Sequence, residues 1–434
     1  MTLEADREEL SQAAVMSTQH SSPGGSKSLE SPSSQGPPKT TPSSPPHSPR
    51  SPLENPPRSV TASPVTEAAQ APPLESGSSP IEVGDGLEPT EEDFEIESDA
   101  DTGYGDDGSS IDASLSSSVK AGVIENGLRY HGFRRDRTYY PFPNDENEQN
   151  RDDMKHAIMG ILMSGKLHFA PIGENPQSIL DLGMNSLGFR NLELTGHRNG
   201  KWNLGNRKSE KKVVGDKYPS AQVQGIDLSP IQPPFVPPNV KFVIDDIEDD
   251  WLYPLDHFDY IHCRHVTQTI KNRPRLMDQA FKHTKPGGYL EFQEVVFYTF
   301  CDDDSMTDPY PFRVFMDNLG VGLAKLGGDN LNALKLADEM RQAGFVDVQD
   351  VALKIPLGVW PKSKEFKLAG LYWRENISDG IKSIANRAFI SGLGWSAEAL
   401  EVFLVDVRKS LYDASKHVYF PLRIVTGRKP LESE

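Results

Sequence analysis

The chain has 434 residues, a formal charge of −18 and two cysteines, Cys263 and Cys301. Two thiols exclude a disulfide framework and fit a reducing compartment. No run approaches the ~18–20 apolar residues of a membrane helix, and Met1-Thr2-Leu3-Glu4 begins no secretory signal, so a soluble intracellular protein with no membrane partner is expected.

The acidity is local. Glu82 to Asp112 holds 13 acids and no Lys or Arg, so the charge describes a tail more than a binding face. Residues 1–120 are expected to be disordered: Ser/Pro-rich to about 80, then acidic, with too little apolar surface to offset ordering entropy. Ser22, Ser31, Ser44, Ser48, Ser51, Ser63 and Ser79 each precede a proline and are candidate proline-directed phosphorylation sites, against the plainer reading of a low-complexity tail. Phe94, Ile96 and Tyr104 among the acids suggest either a segment that meets regulatory protein partners or a solvated linker.

A folded domain is expected over 121–434. From Asp145 onward Met154, Ile158, Ile161 and Leu162 recur at helical spacing. Strands then alternate with helices: "SILDLG" (178–183), "AQVQGIDLS" (221–229), "VKFVIDDI" (240–247) and "FDYIHCRHV" (258–266). After them come a helix, a Pro-Gly-Gly turn and a fifth strand from Tyr289. A helix with a strand to Gly358 and a last strand, "VYFPLRIVTGRK", end the chain. This alternation predicts an α/β, Rossmann-like fold: a mainly parallel, seven-stranded sheet with helices on both faces and a ligand crevice at the strands' carboxyl ends.

The strand ends carry the candidate site. Asp181 and Gly183 close the first strand, where backbone approaches a ligand. Asp227 closes the second, where a carboxylate can accept both ribose hydroxyls. Asp246 and Ile247 close the third and can meet an adenine edge. Each acid alone is equally a helix cap; the series, followed by "TKPGGYLEF", points to adenosine without a phosphate grip. S-adenosylmethionine fits that better than NAD or ATP.

With these segments in hand the chain resembles the fungal LaeA-like, or TAM-domain, methyltransferases from about Asp93 to Lys429. The resemblance is carried by "RYHGFR", "TYYPFPNDENEQNRDDMKH", "GKLHFAPI", "NPQSILDLG", "FDYIHCRHV", "KPGGYLEFQE" and "GLGWSAEALEVFLVDVRKSL". It implies a class I methyltransferase fold, S-adenosylmethionine as donor, a role in regulating secondary metabolism, nuclear or cytoplasmic residence, and Tyr140 as a cover over the donor. The methyl acceptor, a small molecule or a protein, is not implied.

One stretch departs from the family. After "LDLG" a compact glycine-rich loop is expected, whereas Met184 and Asn185 follow and 46 residues separate Asp181 from Asp227, against ~20 in the usual nucleotide-binding spacing. Three readings of the insert at about 184–212 stay open: a stretched loop in which Gly196 and Gly200 take the glycine roles, a non-catalytic scaffold or interaction protein keeping the fold, or a wrongly joined piece of gene. The basic residues of the insert make no stripe interleaved with aromatics, so no direct nucleic-acid binding is expected.

Methyl transfer relies on positioning, so no catalytic residue is assigned. His262, Arg264 and His265, and Glu291, Gln293 and Glu294, are candidates for orienting or deprotonating an acceptor, or else core and capping groups. Phe312, Phe315, Tyr372, Trp373 and Trp395 either line an acceptor pocket or fill a helical cap. No Cys/His cluster has metal spacing.

Overall fold

The computed structural model describes residues 79–89, 122–133, 140–183, 192–198, 201–206, 214–231, 237–306 and 310–433. All lie within one unit, residues 62–434. Phe94, Ile96, Tyr104 and every Ser-Pro serine except Ser79 lie outside the described residues.

A short hairpin, β1 (Val123–Glu125) with β2 (Leu128–Tyr130), precedes α1 (Glu146–Leu162). Asp145 caps α1 by accepting from Glu148 N at 3.0 Å, and Glu146 and Glu148 face the positive helix end. β3 (Ser178–Leu182) follows, buried along its whole length, as a strand covered on both faces must be. β6 (Gln222–Asp227), β7 (Val240–Ile244), β8 (Phe258–Arg264) and β9 (Thr284–Val295) join it in parallel. The chain closes with β11 (Val346–Pro356) and β12 (Val418–Arg428), both antiparallel to their neighbours.

The resulting order, β7-β6-β3-β8-β9-β12-β11, runs outward from β3 in one direction and then returns to its other side. Neighbouring strand ends therefore diverge between β3 and β8, which opens a crevice at their carboxyl ends. The expected seven strands become eight, because β10 (Phe300–Cys301) pairs again with β12 beyond the end of β9.

Two boundaries differ from the sequence expectation. β9 begins at Thr284, five residues before Tyr289, since Thr284 pairs with Phe258 and the Pro-Gly-Gly segment is absorbed as a register irregularity. Gly287 supplies the positive φ, +80°, that this irregularity needs. In the insert, β4 (Leu192–Arg198) and β5 (Lys201–Asn206) form a separate antiparallel hairpin. Gly196 thus lies inside a strand, and Gly200 lies outside the described residues. A short helix, α2 (Val214–Lys217), leads from there into β6.

Helices cover the sheet. α3 (Arg273–His283) and α5 (Leu336–Gln342) lie beside β9 and β11–β12. α4 (Pro311–Lys325), α6 (Lys364–Asn386), a π-helical turn at Arg387–Gly392 and α7 (Ala397–Leu411) build a cap in which α6 lies against α1. Sheet and cap share one apolar core. Phe312, Phe315 and Tyr372 belong to that core, and Trp395 packs edge-on against Phe389 and Phe403. Of the five aromatics considered for an acceptor pocket, these four fill the cap itself.

Residues 79–89, which include the start of the acidic stretch, are docked on the domain. Glu82 O accepts from Lys362 N at 2.9 Å and Gly84 N donates to Trp360 O at 2.7 Å. Glu82, Asp85 and Glu88 pair with Lys362, Lys367 and Arg374. Acids three apart meet a row of cations on α6 and the segment before it, a pattern invisible until the fold aligns them.

Candidate functional site

Two adjoining cavities open at the carboxyl ends of β3, β6 and β8. The larger, about 300 Å³, is walled by Gly183, Asp227, Asp246, Ile247 and Tyr140 among others. The smaller, about 90 Å³, shares Tyr140, Gly183 and Asp227 and continues to Arg264, His265, Glu294 and Trp373. The larger reaches the lower end of the size range of small-ligand pockets, ~300–1,000 Å³.

Each wall residue is held from behind. Gly183 has φ +94° and donates its N–H to Ile226 O at 3.0 Å. Asp227 Oδ1 accepts from Ser229 N at 2.8 Å, which shapes the turn leaving β6. Asp246 accepts from Glu248 N at 2.9 Å, while Ile247 O accepts from Trp251 Nε1 at 3.0 Å. Tyr140 O accepts from Arg387 Nη1 at 2.6 Å and its ring meets Phe142 edge-on at 5.6 Å. Burial pushes the Tyr140 hydroxyl well above its ordinary range, aided by Asp152, Asp227, Glu148 and Glu294. It therefore stays protonated and can donate.

Five of the six expected site residues thus share one wall. Asp181 does not. It is two residues short of the crevice and fully buried, and β3–β8 pairing sets it opposite His262, whose Nδ1 lies 2.7 Å from its Oδ1. A strand residue inside the sheet points to a face, not to the strand end, so Asp181 orients His262.

The polar candidates divide in the same way. Arg264, His265 and Glu294 line the smaller cavity, whereas His262, Glu291 and Gln293 are absent from both walls. Glu291 accepts from Phe169 N and Ala170 N, and Gln293 accepts from Arg264 Nε at 2.8 Å while donating to Leu167 O. Burial pushes Glu294 up to about 7 even though its carboxylate accepts from Val266 N and Thr267 N. His265 sits at φ +57°, and burial first, then Lys155 and Arg264, hold its imidazole well below its usual range. It is neutral at neutral pH.

Sequence reasoning missed the contribution of α1. Glu148, Arg151, Asp152, Lys155 and His156 line the smaller cavity. Their spacing of three and four residues was the available signal. A charged helical face normally meets solvent, so only packing against α6 reveals that it faces a cavity. Arg264 Nη1 lies 3.1 Å from His156 Nδ1. A guanidinium only donates, so this imidazole accepts at Nδ1 and carries its proton on Nε2.

Three further atoms on this wall, His265 Nε2, Gln268 Oε1 and Trp373 Nε1, are buried without a hydrogen-bond partner. Each such atom costs ~1–3 kcal/mol, which a polar ligand can recover. Among the described residues no group of His, Cys, Asp or Glu is arranged to hold a metal ion, and no helix is long and apolar enough to cross a membrane.

Known proteins are similar to this chain. A family model described as a methyltransferase domain matches residues 154–350. Methyltransferase pytC of Aspergillus terreus is 35% identical over 77% of this chain and 96% of its own. The protein-methionine methyltransferase laeA of Emericella nidulans is 30% identical over 71% of this chain and 76% of its own. A solved phosphoethanolamine N-methyltransferase of Haemonchus contortus aligns at 15% identity and a TM-score of 0.33, over 67% of this chain and 54% of that one. The chain belongs to the fungal LaeA-like methyltransferase family.

Proposed function

We propose that this domain binds S-adenosylmethionine and transfers its methyl group to an acceptor, serving the regulation or chemistry of secondary metabolism. One observation carries the reading: Asp227 and the Asp246–Ile247 turn stand on one wall of the larger cavity, at the divergence of β3 and β8. A carboxylate at the end of β6 suits a vicinal diol, and a carboxylate beside an apolar Ile247 suits a purine amino edge.

The residues fit such a donor. Gly183 meets Val266 where no side chain fits, and among the described residues Lys271 is the only cation lining the larger cavity, where it stands against several acids. When bound, the donor supplies an electrophilic methyl group on a sulfonium. The chain's part is to hold Asp227 and Asp246 toward the nucleoside and to close the cleft with Tyr140, whose protonated hydroxyl stays neutral near the cation. Excluding water there matters because positioning, more than proton transfer, lowers the barrier. The name of pytC supports the activity, and laeA of Emericella nidulans, also described as a secondary metabolism regulator, supports the regulatory setting.

Calorimetric titration of the full chain with S-adenosylmethionine and S-adenosylhomocysteine tests the reading. Micromolar binding is expected, weakened by more than ~1 kcal/mol in Asp227→Ala, the scale of a lost hydrogen bond to a charged group. A folded chain that binds neither would favour the second reading, a non-catalytic scaffold. The observation behind that reading is the β4–β5 hairpin standing in the interval where the family carries a glycine loop.

A further inference from the structure

The docked segment 79–89 repeats one pattern at every third residue. Glu82, Asp85 and Glu88 each face a cation of the domain: Lys362, Lys367 and Arg374. One step earlier in the same spacing stands Ser79, exposed and followed by an exposed Pro80. Its backbone carbonyl accepts from Lys354 Nζ at 3.2 Å, so the segment is latched to β11 at this residue.

We propose that Ser79 is a phosphorylation site for a proline-directed kinase, and that phosphate there undocks residues 79–89. The kinase moves the γ-phosphoryl group of ATP to Ser79 Oγ. The Oγ–P bond forms, the bond from phosphorus to the ADP oxygen breaks, and the hydroxyl proton is released.

Three observations carry it. Ser79 and Pro80 are exposed and belong to no strand or helix, so an enzyme can reach them. Next, the side chain that would carry the phosphate stems from the residue whose carbonyl makes the Lys354 contact. Last, the cations around that contact already have carboxylates. Buried Lys354 lies 2.6 Å from Asp302 Oδ2, and Asp302 Oδ1 accepts from Tyr419 OH at 2.8 Å. His417 Nδ1 lies 2.6 Å from Asp303 Oδ2, and Lys362 Nζ lies 2.8 Å from Glu82 Oε2.

The three acids of the row thus each arrive with a cation of their own, whereas position 79 stands beside a cation that Asp302 holds. A phosphate adds a charge of about −1.5 to −2. Ser79 O and Asp302 Oδ2 touch the same ammonium, well inside the Debye length of ~8 Å, so like-charge repulsion falls on the latch itself.

The test uses the full chain, a purified mitogen-activated protein kinase, ATP and Mg²⁺, with phosphate mapped by mass spectrometry. Ser79→Ala, treated identically, controls for phosphate on other residues. Hydrogen exchange at Gly84 N and Lys362 N, whose bonds join the segment to the domain, is the readout, with amides of β9 as reference. Exchange in the phosphorylated parent is expected to be at least about tenfold faster than in treated Ser79→Ala. Asp302→Asn removes the opposing charge from a side chain that is 33% exposed, and should cut that acceleration to below about threefold. A folded parent that takes no phosphate on Ser79 would overturn the proposal, as would exchange that is unchanged or slower. An acceleration that persists in full in Asp302→Asn would overturn it too, because the repulsion would then not be its cause.

Discussion

A Cβ placed on Gly183 would lie 2.4 Å from Val266 Cγ1, so the end of β3 and the loop after β8 meet where no side chain fits. The contact sets the floor shared by both cavities. Gly183 also has φ +94°, a left-handed backbone that costs other residues ~1–2 kcal/mol. Gly183→Ala is therefore expected to destabilise the chain by at least ~2 kcal/mol and to lower donor affinity, read by thermal unfolding and titration. Adding Val266→Ala should recover the part due to the clash and leave the backbone part. A double variant no better than the single one would show that the contact is not the cause.

Asp181 and His262 make a separate, buried pair. Removing one partner leaves a polar group without compensation, at ~3–5 kcal/mol for a buried ion pair and ~1–3 for a neutral one. Asp181→Ala should lower the unfolding midpoint markedly, yet donor affinity of the folded fraction should change less than about threefold, an effect below ~0.7 kcal/mol. A large loss of affinity without a loss of stability would return Asp181 to the binding wall.

Glu294 gives stability a pH dependence. Its carboxyl is pushed up to about 7 by burial, against an ordinary value of 4.5. Between those values the folded chain holds a proton that the unfolded chain has released, so this group's contribution falls as pH rises through the window. Glu294→Gln removes the charge and keeps an oxygen for Val266 N and Thr267 N. Relative to the parent it should gain up to about 3 kcal/mol above pH 7 and nothing below pH 4.5. Denaturant melts at pH 4, 6 and 8 measure this, and a pH-independent difference would refute the assignment.

The docked segment 79–89 is held by three ion pairs of unequal kind. Those of Glu82 and Asp85 are exposed, whereas Arg374 is nearly buried and grips both oxygens of Glu88. Salt screens the exposed pairs far more than the third. Glu88→Gln should therefore release the segment more than Glu82→Gln does, seen as faster hydrogen exchange at Gly84 N and Lys362 N, whose bonds join the segment to the domain. Equal exchange in the two variants would place the anchor elsewhere.

Much of the architecture could be read from residue order. β3, β6 and β8 are short apolar runs between breakers, and burial on both faces of a parallel sheet demands that pattern. The strand ends carried most of the site, because Asp227, Asp246 and Gly183 stand where such folds meet ligands. Tyr140 was reached through family resemblance alone, since a tyrosine before α1 has no local sign of facing β6. The start of β9 was misjudged for a local reason: Pro-Gly-Gly signals a turn, and only pairing with Phe258 shows that the strand passes through it.

Chain order, apolar periodicity and the chemistry of strand-end residues were properties of the sequence by itself. They determined an α/β sheet and its crevice, since each depends on contacts a few residues apart. Tertiary structure alone decided that Asp181 serves His262, that the charged face of α1 walls a cavity, and that Glu88 reaches Arg374. Those outcomes rest on register and helix packing between residues 81, about 110 and 286 positions apart. Burial and charge pairing at such separations are set by the folded neighbours, and no local pattern encodes them.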